Sequence, residues 1–431
     1  KINYYKYYSL NQLNYCKKCY YIVLLFGHFR IKTIKRSIKM IVKPQISNNV
    51  CRTSHPLGCR QEVENQINYV KSKPKINANI KNALILGASG GYGLASRIVL
   101  AYGLNANTMG VSFERAATEE KTATPGWYNN QAFSEFAKRD GLKEKTIVGD
   151  AFLESSKESI IKQAKEFFDG KIDILIYSLA TGIRKDEKEN ITYRSTLKPI
   201  GKKYNGIGVD FMKEELINVE IEPATEEDIK ATVKVMGGED WSLWIEDLIK
   251  ADMLSENALT LAYSYIGPEI TKAIYRDGTI GKAKDDLEET AIKLDKMMQD
   301  KLKGHAYVSV AKAVVTRASA VIPAMPLYIS ILFKITKDKG IHEGCIEQMY
   351  RQFNDKLYSG KGAIVDEKHR LRLDDWELRD DVQKEVLESW NKVKDNDTLK
   401  ANADLNQFRD EYLHLHGFGF NGINYDADVQ I

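Results

Sequence analysis

Apolar and polar positions fall in alternating blocks along most of this chain. Ala83–Leu86, Thr108–Phe113, Lys145–Val148, Ile172–Tyr177 and Leu259–Tyr265 read as strands. Ala83–Leu86 is unbroken apolar sequence, and so is Ile172–Tyr177 apart from Asp173, which suits strands buried on both faces. Between and after them lie segments of helical period: Leu94–Tyr102, Ser155–Phe168, Thr225–Lys234, Asp240–Met253 and the long amphipathic Thr279–Lys301. Strands alternating with helices predict an α/β fold with a doubly wound parallel sheet. Ligands of such a sheet bind outside the carboxyl ends of its strands. The exits at Gly87, Glu114, Asp150 and Ala180 are therefore expected to share one rim. Arg184–Asp210 is polar and irregular, the pattern of a lid or substrate loop. Ala306–Ala320 and Leu327–Lys337 are apolar elements separated by Pro323 and Pro326. Past Gly340 the pattern is helical and highly charged. No linker interrupts the chain after Met40. The expectation is one enlarged domain, with a core over about residues 80–325 and a C-terminal helical extension.

The first strand runs directly into Gly87-Ala88-Ser89-Gly90-Gly91-Tyr92-Gly93 and then into a helix. This order, strand, glycine turn, helix, is the context in which glycines cradle a pyrophosphate: free N–H groups and the helix dipole attract the anion. The bland alternative is an ordinary tight turn. The second strand ends at Glu114, 21 positions after Gly93. An acid there accepts hydrogen bonds from adenine ribose hydroxyls, and its charge repels a 2′-phosphate, so NADH is favoured over NADPH. Arg115 next door pulls the other way, and a surface charge is an equal reading of Glu114 taken alone. Together these features make the sheet Rossmann-like.

Composition adds one asymmetry. The 431 residues are 43% hydrophobic and 28% charged, with formal net charge +4. Residues 1–39 hold nine Lys/Arg, no Asp or Glu, and seven of the 23 tyrosines. Without those nine, 54 basic face 59 acidic side chains, a net of −5. A mildly acidic body argues against nucleic acid as main partner. The longest apolar run of the leader, Tyr20–Phe26, is too short to span a bilayer. The leader reads as non-native or disordered sequence before a start at Met40, with organellar import the less favoured alternative. Five cysteines (Cys16, Cys19, Cys51, Cys59, Cys345) form no disulfide framework, which suggests a reducing, cytoplasmic setting. Cys16-Lys-Lys-Cys19 has metal spacing but no second half-site, and no metal is expected. His342 with Cys345, and His414 with His416, are read as structural.

A nicotinamide enzyme of this build needs an acid near the hydride acceptor. Tyrosine serves, helped by a lysine whose charge favours phenolate and whose ammonium holds the ribose. The tight Tyr-x-x-x-Lys spacing is absent. Tyr275 is followed by Lys282 and Lys284, about 200° apart on a helix, so only one of them is expected to face the site. A surface tyrosine before a basic helix is the competing reading.

Ordered motifs then carry a resemblance over Met40–Ile431: MIVKP (40–44), SHPLGC (54–59), GASGGYGLASR (87–97), SFE (112–114), GWYN (126–129), GDAF (149–152), YSLA (177–180), MGGEDW (236–241), AYSYIGPE (262–269), IYRDGTIGKAK (274–284), VVTRASAVIP (314–323) and GIHEGCIEQMYR (340–351). The chain resembles the trans-2-enoyl-CoA reductase and FabV-type enoyl-ACP reductase family, enlarged relatives of the short-chain dehydrogenases. Gly90 stands where that family often carries a polar residue. The resemblance implies Tyr275 and Lys284 as the catalytic pair and Tyr265 at the substrate carbonyl. It implies NAD contacts from Gly87, Ala88, Ser89, Gly90, Gly91, Tyr92, Phe113, Glu114, Asp150, Ala151, Leu179, Ala180, Val314, Val315 and Thr316, with Lys284 on the ribose. It implies NADH as cofactor, without flavin or metal, and an enoyl-CoA or enoyl-ACP substrate reduced in fatty acid synthesis, by a monomer or homodimer. Rival readings are a 3-ketoacyl (carbonyl) reductase with the same cofactor and a non-catalytic NAD-binding regulator.

Overall fold

The computed structural model describes residues 39–431, which fall within one compact unit. The leader assignment for residues 1–38 lies outside the described residues. Lys39 belongs to the fold: Lys39–Ile41 pairs antiparallel with Asp428–Gln430.

Seven parallel strands form the central sheet: β1 Asn82–Leu86, β2 Asn107–Ser112, β3 Glu144–Val148, β4 Ile172–Tyr177, β5 Leu254–Ser264, β6 His305–Val310 and β7 Arg370–Arg372. Their order is β7-β6-β5-β4-β1-β2-β3, so the strand order reverses between β1 and β4. That reversal opens a crevice at the carboxyl ends of the strands. Helices α1 Pro56–Lys71, α2 Gly91–Ile98 and α3 Pro125–Arg139 cover one face. Helices α4 Glu154–Phe167, α5 Glu239–Lys250 and α6 Thr279–Leu302 cover the other.

The unbroken apolar run of β1 now has its reason. Ala83 and Ile85 enter the core under α1–α3, whereas Leu84 and Leu86 enter the core under α4–α6. Successive side chains point to opposite faces, and both faces are buried. Burying each such side chain contributes roughly 1.5–3 kcal/mol. Charge also lies inside this packing. The buried Arg97 of α2 donates to Glu144 Oε2 at 2.8 Å, Thr146 Oγ1 at 3.0 Å and Lys145 O at 2.9 Å, with its guanidinium 4.1 Å from the Phe133 ring centroid. Gly110 of β2 makes the room, since a Cβ there would sit 2.6 Å from Arg97 Nη1. A third core joins the C-terminal helices to α7 Met325–Asp338, the element anticipated at Leu327–Lys337.

The segment expected to be irregular is different. Ile183–Asp186 and Ile191–Arg194 form one hairpin, and Tyr204–Asp210 with Glu215–Ile221 form a second. Most positions on these two-stranded ribbons stay in contact with solvent, so they carry little of the apolar alternation that announces a strand. Ala306–Ala320 is strand only to Val310 and then runs on as an extended loop.

Candidate functional site

The glycine turn is built by contact and by backbone angle. Gly87 has φ +86°, and a Cβ there would lie 2.1 Å from Ser178 O at the exit of β4. A Cβ on Gly93 would lie 2.1 Å from Gly87 O. Strand, turn and helix therefore close on one another only with glycine at both positions. Gly90 and Gly91, the N-cap and first residue of α2, meet nothing within 4 Å. Backbone at a helix start is thus left open to a ligand, which fits a pyrophosphate.

Side chains from β2 and α3 frame this turn. Ser89 Oγ donates to Glu114 Oε1 at 2.6 Å, and Asn129 Nδ2 donates to Ser89 O at 2.9 Å. Gly126 makes space for that carboxylate, since its Cβ would fall 2.1 Å from Glu114 Oε1. Phe113 is 77% exposed, an aromatic face held out at the rim. Asp150 Oδ1 accepts from Phe152 N at 3.0 Å, and Ala151 O accepts from Trp244 Nε1 at 3.1 Å. Ala88, at the start of the turn, is buried. Leu179 and Ala180 leave β4 beside it, with Ala180 exposed. Every anticipated cofactor residue up to Ala180 thus gathers at one end of β1–β4. Tyr92 points the other way, its hydroxyl donating to Lys312 O at 2.9 Å. Val314 and Val315 are buried after β6, and Thr316 N donates to Ser319 Oγ at 2.8 Å.

A second group surrounds Tyr275. A cleft of about 1160 Å³ is walled by residues that include Ala180, Tyr275, Lys284, Arg317 and His416. The glycine turn and Tyr265 are not on its wall. Tyr275 follows the short helix Glu269–Lys272 and precedes α6, whose first turn closes on it through Gly281 N to Tyr275 O at 3.1 Å. Gly281 is required there, because its Cβ would collide with Arg276 O at 1.8 Å. The phenol is 7% exposed, packs edge-on to Tyr265 at 5.1 Å between centroids, and its hydroxyl has no protein partner among the described residues. Burial pushes its pKa up, opposed by Arg276.

Lys284 stands in the second turn of α6 and its Nζ donates to Tyr263 O at 2.9 Å. Burial pulls its pKa down to about 8, with Glu288 opposing and Arg276 adding to the depression. Lys282 points outward, 56% exposed and 3.8 Å from Asp285. Of the two lysines that spacing left open, Lys284 lines the cleft and Lys282 faces solvent. The expected lowering of the tyrosine pKa by the lysine is overturned. Lys284 does not bond the phenol, and loss of solvent around Tyr275 outweighs any nearby charge.

Tyr265 is committed elsewhere. Its hydroxyl donates to Glu377 Oε1 at 2.8 Å, as does Tyr328 at 2.7 Å, while Ala313 N donates to Glu377 Oε2 at 2.6 Å. Glu377 is fully buried, and burial raises its pKa. The sequence reading missed this carboxylate, which lies in the acid-rich run Asp374–Asp381 that reads as a solvated surface. Its one signal is Trp376 beside it. His342 bonds Glu411 at 3.2 Å and His414 stacks on Phe420 at 4.2 Å. Away from the cleft, Asp295, His305 and His369 bring three possible metal-ligand atoms together.

Comparison with known proteins follows this division. Residues 41–119 match the family described as NAD(P)H binding domain of trans-2-enoyl-CoA reductase, and 121–358 match the trans-2-enoyl-CoA reductase catalytic region. Residues 365–429 match a family described as enoyl reductase FAD binding domain. That last stretch does not fit a flavin. It gives the cleft only Tyr412 and His416, two of its three helix starts are capped by Asp395 and Asp404, and Asp366, Arg370, Arg372 and Asp374 are closed in ion pairs. A trans-2-enoyl-CoA reductase [NADH] of Brachyspira hyodysenteriae is 68% identical over 91% of this chain and 100% of its own length. An enoyl-[acyl-carrier-protein] reductase [NADH] of Flavobacterium johnsoniae is 51% identical over 90% and 98%. The solved structure of Treponema denticola trans-2-enoyl-CoA reductase in complex with NAD superposes with TM-score 0.85, at 50% identity, over 91% of this chain and 98% of that one.

Proposed function

This chain belongs to the trans-2-enoyl-CoA reductase family, and we propose that Tyr275 is the acid of its reaction and Lys284 its ribose-holding partner. The protein is an NADH-dependent oxidoreductase that saturates the trans-2 double bond of an enoyl thioester. The observation carrying the residue assignment is the Tyr275 hydroxyl, on the cleft wall without a protein partner among the described residues, while Lys284 shares that wall and Lys282 faces out.

Bound NADH supplies a hydride to the substrate β-carbon. Negative charge then gathers on the thioester oxygen. Tyr275 donates its O–H there, and protonation of the α-carbon completes the saturated thioester. A pKa raised by burial keeps that phenol protonated at neutral pH, so it acts as a donor rather than as a phenolate. Lys284, charged below about pH 8, would offer its ammonium to the ribose hydroxyls. Gly87, Ala88, Ser89, Gly90, Gly91 and Tyr92 would offer backbone to the pyrophosphate and Glu114 its carboxylate to the adenine ribose, and Phe113, Asp150, Ala151, Leu179, Ala180 and Val314–Thr316 would complete the contacts to NADH. Tyr265 acts through Tyr275: Glu377 holds its ring edge-on against the acid.

We take CoA as the carrier, following the Brachyspira hyodysenteriae relative at 68% identity, a trans-2-enoyl-CoA reductase. The cytoplasm is the compartment we propose, since Cys51, Cys59 and Cys345 are free thiols. The decisive assay is crotonyl-CoA with NADH, followed at the NADH absorbance. Turnover of acetoacetyl-CoA with none of crotonyl-CoA would move the protein to the carbonyl reductases.

A further inference from the structure

We infer that Arg52, Lys121 and Arg317 hold the phosphates of the substrate's CoA carrier, an inference that rests on the CoA reading above. The described chain carries more acid than base, yet its large cleft is walled by six cations, Lys43, Arg52, Arg115, Lys121, Lys284 and Arg317, against one acid, Glu120. Such a concentration raises the local density of an anionic ligand. Three of the six have other duties. Lys43 pairs with Asp426, Lys284 stands beside Tyr275, and Arg115 adjoins Glu114 at the adenosine end of the cofactor. Arg52, Lys121 and Arg317 are exposed and form no ion pair among the described residues.

These three come from distant segments that the fold ties together. Ser54 N donates to Thr122 Oγ1 at 3.1 Å and Ser54 Oγ donates to Ala123 O at 2.7 Å, which fixes the segment of Arg52 to the loop of Lys121. Cys51 N donates to the Tyr412 hydroxyl at 2.8 Å. Tyr412 shares the cleft wall with Arg317, close enough for that charge to act on it. The cofactor does not call on this trio, because its diphosphate has the open backbone of Gly90 and Gly91. CoA brings about four negative charges in its diphosphate and 3′-phosphate. Guanidinium groups suit such oxygens by paired hydrogen bonds, with Lys121 as a point charge.

The test compares two thioesters with the same acyl group, crotonyl-CoA and crotonyl-pantetheine, the second lacking every phosphate. Arg52→Gln, Lys121→Gln, Arg317→Gln and the triple variant are assayed with saturating NADH. Each arginine change is expected to raise KM for crotonyl-CoA about tenfold with kcat kept within about twofold, and to leave crotonyl-pantetheine unchanged. Arg317→Lys is expected to restore part of the loss. Adenosine 3′,5′-bisphosphate, titrated calorimetrically, is expected to bind the wild type and fail on the triple variant. Equal losses on both thioesters would overturn the proposal. So would unchanged KM for crotonyl-CoA with a raised KM for crotonyl-ACP, which would make the trio a docking surface for the acidic carrier protein. A wild type that reduces neither thioester would instead sink the reductase reading, so the two failures are separable.

Discussion

In the site proposed above, the cofactor end is built mainly of backbone and the reaction end of side chains. Gly87, Gly90, Gly91 and Gly93 occupy one seven-residue stretch, and their work is to let main chain approach main chain or ligand. Tyr275, Lys284, Tyr265 and Glu377 come from a turn, a helix, a strand end and a segment about a hundred residues on, joined through hydroxyl–carboxylate bonds and ring contacts. Loss of a side chain should therefore remove chemistry and spare binding at one end. At the other, gain of a single methyl should damage binding and fold together.

The largest expected effect is at the acid. Tyr275→Phe keeps the ring and its contact with Tyr265, and is expected to lower kcat/KM on crotonyl-CoA by roughly 10²–10⁴ with the NADH dissociation constant unchanged. Full retained activity would overturn the assignment of Tyr275 as the donor. Lys284→Met keeps the stem and removes the charge. A comparable loss is expected, now with weakened NADH binding, measurable by quenching titration. This variant tests how far the two ends are separate, since Lys284 belongs to both.

Gly87→Ala probes the backbone end. The residue has φ +86° and no room for a Cβ, so about 1–3 kcal/mol of stability should go, with NADH affinity falling alongside. A melting scan that finds wild-type Tm would show that the turn relaxes freely. A smaller effect is expected from pH. The Lys284 pKa is lowered to about 8, so its charge is complete well below that pH and lost as pH rises through it. NADH binding should weaken on the alkaline side by up to tenfold, and Lys284→Arg, charged throughout, should flatten the limb. The smallest change is expected from Lys282→Met, under about threefold in either quantity, as for a solvated charge.

These two ends were also unequally legible. The glycine turn, its strand and Glu114 could be read because contiguous residues build them and a buried parallel strand leaves an unbroken apolar run. Tyr275 and Lys284 are nine positions apart, and spacing alone could not choose between Lys282 and Lys284; the resemblance to a family was needed. Glu377 was invisible, since one-dimensional pattern cannot separate an acid that is buried under two phenols from its exposed neighbours Asp380 and Asp381. The hairpins at 183–194 and 204–221 were missed for want of a buried face. The direction of the Tyr275 shift was misjudged because burial, which depends on the whole fold, outweighs a charge that sequence places nearby.

The seat of Tyr275 on a turn, ahead of the helix that carries Lys284, has a consequence for how such enzymes diversify and are found. Two groups four apart on one helix move as a rigid unit, and a search pattern for them tolerates no gap. Here Arg276-Asp277-Gly278 lies between the acid and the helix start, and Arg276 reaches across to Asp285 and Glu288 as a brace. An insertion or deletion in those three residues would reposition the phenol while leaving the lysine and the cofactor in register. Substrate depth could then evolve independently of the nucleotide, and fixed-spacing searches would overlook the descendants.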